Sequence, residues 1–139
     1  MVELARTRLA RFGARAQVAQ SDGSLELPAP SGSCDRFLST YVLDLLSRDD
    51  IERALQEAAR VLRPGGLAGI TSLTFGRDLL GQAVSTLWIA LHRLSPARVG
   101  GCRPLDLEPW LQLPRWKLEH LATHRAYGLT SQVLVARRL

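Results

Sequence analysis

Apolar residues between Asp49 and Leu62 fall at 51, 55, 58, 59 and 62, the stripe of an amphipathic helix. Asp49 and Glu52 have capping-box spacing, and Arg60 and Arg63 suit the negative end of the helix dipole. Pro64 forces a break, and Gly65 and Gly66 permit a tight turn. The run from Leu67 to Leu73 has the length and composition of a strand buried on both faces. Helix, Gly turn and buried strand make half of a βαβ unit, which predicts an α/β chain.

Weaker periodicities surround this centre. Residues 2, 5, 9 and 12 make a helical stripe that ends at Gly13. Ala16 to Ser21 alternates and runs into Asp22-Gly23, a strand followed by a turn. A loop with Pro28, Pro30 and Gly32 follows, then a short strand over Asp35 to Thr40 and a helical turn within Tyr41 to Leu46. Asp78 to Leu94 is apolar over a wide helical arc, Ser95 to Pro104 is a loop, and Leu105 to Leu111 suits a short helix. Trp116 to Ala126 and Thr130 to Arg137 flank Tyr127-Gly128-Leu129 as a β-hairpin. The order is α, β, loop, β, α, β, α, hairpin: a mostly parallel sheet with an antiparallel end.

The chain has 139 residues, 46% hydrophobic, which suits one globular domain with a modest core. Net charge is +5, but the positive charge is spread along the chain and Lys117 is the only lysine. Nucleic-acid binding needs clustered charge, so a solvated arginine-rich surface is favoured and no nucleic-acid partner is expected. Cys34 and Cys102 have no metal-ligand spacing and suit free thiols in a reducing compartment. No signal peptide is visible, and Leu79 to Leu94 is too short and too polar to span a bilayer. The expectation is a cytoplasmic protein without a transmembrane segment.

The stretch Cys34 to Leu46, with the helix Ile51 to Leu62 and the turn Arg63-Pro-Gly-Gly-Leu67, resembles the later half of class I methyltransferases dependent on S-adenosylmethionine. The nearest flavour is the ubiquinone/menaquinone-biosynthesis methylases. Asp35 opening one strand, and the Asp22-Gly23 turn before a Pro-rich loop, carry the same pattern. The resemblance implies a Rossmann-like sheet of order 3-2-1-4-5-7-6 with strand 7 antiparallel. On that template Ala16–Ser21 corresponds to strand 3, Asp35–Thr40 to strand 4, Leu67–Leu73 to strand 5, and the hairpin to strands 6 and 7. Strands 1 and 2 have no counterpart.

The family holds the methionine end of its cofactor with a Gly-rich loop after strand 1, where backbone N–H groups approach the ligand. Gly65-Gly66 stands between helix and strand, the wrong order, and Gly100-Gly101 lies in a loop without that context. The expectation is therefore a single domain over residues 1–139, truncated at its N-terminus, weak or inactive as it stands. The intact enzyme would move a methyl group from S-adenosylmethionine to a small, hydrophobic acceptor. The alternative is a non-catalytic interaction module that dimerises through exposed sheet edges.

The resemblance places Asp22 and Gly23 at the adenine, and Thr40 and Tyr41 beside cofactor and substrate. An ordinary Asp-Gly turn and a Tyr packed under the next helix are the plain alternatives. Tyr41, Asp44 and His124 are the available catalytic groups, none with a motif behind it; Asp44 would either face substrate or sit on the surface. His120 and His124 lie four apart in a predicted strand with no third ligand, so no metal site is expected. Trp88, Trp110 and Trp116 suit core packing better than a pocket lining.

Overall fold

A computed structural model describes residues 2–76, 79–95, 101–112, 114–126 and 129–139. Helix α1 covers Val2–Leu9 and continues as a 3-10 turn over Ala10–Arg15. Strand β1 is Cys34–Thr40, helix α2 Arg48–Val61, strand β2 Leu62–Thr74 and helix α3 Leu79–Leu94. Strands β3, Trp116–Ala126, and β4, Leu129–Arg138, form the hairpin. Tyr127 and Gly128 of its expected turn, and Asp78 at the expected start of α3, lie outside the described residues.

One sheet has the order β1-β2-β4-β3. β1 and β2 are parallel, joined by α2; β4 runs antiparallel to both β2 and β3. This is the 4-5-7-6 part of the expected sheet, with the antiparallel strand where the resemblance puts it. The strand expected at Ala16–Ser21 does not form: that stretch is irregular. Isolated alternation supplies no ladder, and without a strand beside it the backbone of this polar run is left to solvent.

Helix α2 forms much as its stripe dictates, but its cap lies two residues upstream of the expected one. Ser47 Oγ accepts from Asp50 N at 3.1 Å and donates to Asp50 Oδ2 at 2.7 Å. Ser47 offers a short hydroxyl at the first non-helical position, which Asp49, already inside the helix, cannot. The helix buries Ile51, Leu55, Ala58 and Ala59 against Ala68 and Ile70 of β2 and Leu134 and Ala136 of β4. Leu105, Leu107 and Leu111 complete this core around a 3-10 turn at Glu108–Gln112, with Trp116 buried among them.

The Pro-Gly-Gly break sits inside β2 rather than ahead of it. Cys34 pairs with Leu62, but Arg36 pairs with Leu67, so Arg63 to Gly66 bulge out. Gly65 has φ +78°, and a Cβ on Gly66 would stand 2.9 Å from the Arg63 carbonyl oxygen. Both glycines are thus required by the bulge.

Candidate functional site

In a parallel sheet, ligands gather beyond the C-terminal ends of the strands. Here those ends are Thr40 on β1 and Thr74 on β2. Tyr41, the first residue past β1, has φ +53°, the single positive φ among described non-glycine residues. For a tyrosine that conformation costs about 1 kcal/mol or more, so its neighbours must impose it. Tyr41 N donates to Thr71 O at 2.8 Å, and its hydroxyl meets Ser131 Oγ at 3.0 Å across the sheet. Thr40 is exposed beside it.

Asp44 lies in the 3-10 turn Leu43–Leu45 and is fully buried. It is neither a surface carboxylate nor open to a substrate. Oδ2 accepts Leu73 N at 2.9 Å, while Oδ1 is buried without a partner. Burial pushes its carboxyl up to about 6, against the pull of the Leu73 N–H and of Arg103. The same turn ties down the segment from Gly101 to Leu107. Arg103 N donates to Asp44 O, the Arg103 guanidinium to Leu46 O, and Leu105 N to Leu73 O. Helix α3 adds Trp88 Nε1 to Cys102 O and His92 Nε2 to Gly101 O. Asp44 is therefore a buried pin under the ligand end of the sheet.

Asp22 and Gly23 stand elsewhere. Asp22 Oδ1 accepts Ser24 N at 2.9 Å, a bond that lowers its carboxyl below the ordinary range. Gly23, at φ +96°, borders an open cavity of about 580 Å³ along α2 with Asp50, Arg53 and Glu57. The following loop is clamped to α2: Glu57 accepts Leu27 N at 2.8 Å, and Arg60 donates to Leu27 O and to Ser31 Oγ. Neither Thr40 nor Tyr41 borders that cavity. His120 and His124 project from the same face of β3, opposite Val135 and Ser131. The cavity at Gly23 thus does not bring Asp22–Gly23 and Thr40–Tyr41 together around one nucleoside-sized ligand.

Gln132 carries polar chemistry that motif reasoning passed over. It lies on β4 in the inward register with Leu134 and Ala136, and it is buried. Its amide donates to Ser72 Oγ and to Leu105 O, both at 2.9 Å. The signal was present: a polar residue at a buried position of an otherwise apolar alternation.

A profile of the family described as "Methyltransferase domain" matches residues 1–66. No curated protein matches the sequence at a significant level. Among solved structures, a SAM-dependent methyltransferase from Methanosarcina mazei superposes with TM-score 0.63 at 16% identity, covering 95% of this chain and 76% of that one. A methyltransferase described as putative from Bacillus halodurans gives 0.69 at 13% identity, covering 98% and 78%. A geranyl diphosphate methyltransferase in complex with SAM gives 0.71 at 12% identity, covering 99% and 64%. At these identities the superpositions show the fold. The chain therefore resembles SAM-dependent methyltransferases over its first 66 residues and shares their fold, with four strands of that sheet in the order the resemblance implies. Among the described residues no helix is long and apolar enough to cross a membrane.

Proposed function

We propose that this fold serves methyl transfer from S-adenosylmethionine to a small, partly apolar acceptor, and that the 139-residue chain alone holds the cofactor weakly. The parallel β1–α2–β2 unit flanked by an antiparallel strand, found together with the methyltransferase-domain match, carries this reading. In-line transfer needs acceptor and methyl held at near-attack distance more than it needs acid–base chemistry. Thr40 and the constrained Tyr41 supply a fixed wall at the strand ends for such positioning. Asp44 works from below, holding the Gly101–Leu107 segment that roofs the end of β2. A hydrophobic acceptor fits the apolar surface around Phe75 and Trp110.

A second reading has one specific observation behind it. Tyr41 N points to β2, so by alternation the amides of Arg36, Leu38 and Thr40 point outward, away from β2. Leu38 is 75% exposed on this open edge. Unpaired edges of this kind accept another strand, as an interaction module would require.

Calorimetric titration of the chain with S-adenosylmethionine separates the readings. Weak binding is expected, with Kd near a millimolar, about −4 kcal/mol. No heat at millimolar cofactor would remove methyl transfer from this chain and leave the interaction module. Micromolar binding would overturn the weak-binding part of the proposal.

A further inference from the structure

We propose that the cleft floored by Gln132 and walled by Asp106, Glu108 and Phe75 binds an organic ammonium ion bearing a ring-sized apolar body. Gln132 is 3% exposed, yet it lines an open cleft of about 390 Å³ together with Thr74, Phe75, Asp106, Glu108 and Thr123. Its amide orientation is fixed, because the Leu105 carbonyl can only accept and so must face the Nε2 end. Both amide hydrogens are spent on Ser72 and Leu105. Oε1 has no partner among the described residues, and it is not among the fully enclosed unpaired atoms. An acceptor on an otherwise buried side chain is left open to the cleft, where a donor can meet it.

The walls point to the same chemistry. Asp106 and Glu108 supply carboxylates, and no basic residue stands among the described lining residues. An ammonium group brings three donors and a positive charge, which suits one amide oxygen and two carboxylates. A second cleft of about 520 Å³ shares Phe75 and Asp106 with the first and adds Pro104, Pro109 and Trp110, with Arg48 and Glu52 at its edge of α2. Arg48 already lies over the Trp110 ring at 5.3 Å. That arrangement favours the ligand's charge in the acidic cleft and its ring in the apolar one. The ligand's ring would use the Phe75 and Trp110 surface that the methyl-transfer reading gives to the acceptor, but the inference concerns binding without cofactor.

The test is a titration of the cofactor-free chain with 2-phenylethylamine, followed by the NMR shift of the Gln132 side-chain amide and by tryptophan fluorescence. The neutral 2-phenylethanol serves as the isosteric control and the anionic 3-phenylpropanoate as the charge-reversed one. The amine is expected to bind at least tenfold more tightly than the alcohol, and the acid more weakly than both. The double variant D106N/E108Q should remove that preference. Asn and Gln keep the acceptors that now serve Glu108 N and Gln112 Nε2, so the thermal melt should be unchanged. Equal binding of amine and alcohol, an unchanged preference in the double variant, or no shift at Gln132 at millimolar amine would each overturn the proposal. Because no S-adenosylmethionine is present, these outcomes leave the methyl-transfer reading to its own titration.

Discussion

Asp44→Asn should flatten the pH dependence of stability between about pH 4 and pH 7. The sign follows from where the carboxyl titrates. Burial raises its folded value to about 6, above the ordinary 3.8. Between those values the folded chain holds a proton that the unfolded chain has released, so stability falls as pH rises through this window. At about 1.4 kcal/mol per pH unit, the interval from 3.8 to about 6 is worth about 3 kcal/mol. Below the window the protonated acid and the amide are near-isosteric, and both can accept Leu73 N. Above it only the wild type carries a buried charge, with Oδ1 unpartnered and Arg103 as partial compensation. One neighbour could complicate the readout: the Cys102 thiol is pushed up, first by its own burial and then by the Asp44 charge, away from this window. The assay is urea unfolding of both proteins at several pH values, read as the difference between them. The variant should gain about 3 kcal/mol on the wild type from the low to the high end, which for a chain of this size is roughly 10 °C in Tm. A difference that stays constant within about 0.5 kcal/mol would refute the reasoning, because a carboxylate solvated in the native state would behave that way.

Two further outcomes follow from the same geometry. Glu57→Gln weakens the clamp on the Leu27–Ser31 loop and should cost about 1–2 kcal/mol at neutral pH. Glu57 is held down to about 2, first by its Arg60 bond and then by Leu27 N, so it stabilises above its ordinary 4.5 and ceases to as pH falls through 2; urea melts whose difference does not narrow on acidification would contradict this. Leu38→Lys puts a charge on the open edge of β1 and should abolish any concentration-dependent self-association in sedimentation while leaving the melt unchanged; association equal to that of the wild type would remove that edge as the contact.

What was legible in the sequence is what local physics decides. The stripe from Ile51 to Leu62, the run after Gly66 and the terminal hairpin each satisfy their own periodicity, and each formed within a few residues of its expected bounds. The cap moved because Ser47 and Asp49 both have capping chemistry, and the helix began one residue earlier than its stripe indicated. The bulge at Arg63 to Gly66 could not be read as such: a Pro-Gly-Gly turn between elements and one folded into a strand have the same sequence.

What was not legible depends on neighbours. Ala16 to Ser21 alternates well enough for a strand, but β-structure is a property of pairs, and among the described residues nothing pairs with it. Asp44 was weighed as a substrate-facing or surface acid because an acidic residue in a first helical turn is usually solvated. Its burial comes from the Gly101–Leu107 segment, nearly sixty residues away in sequence and tied to it through Arg103 and Leu105. Gln132 shows the converse. Its position in the inward register of β4 was visible as a break in an apolar alternation, but what it floors is set by Asp106 and Phe75 arriving from two other segments. The candidate site is therefore written in contacts between elements rather than in a motif. That is why its chemistry is better probed with an amine and its neutral isostere than by matching it to a sequence pattern.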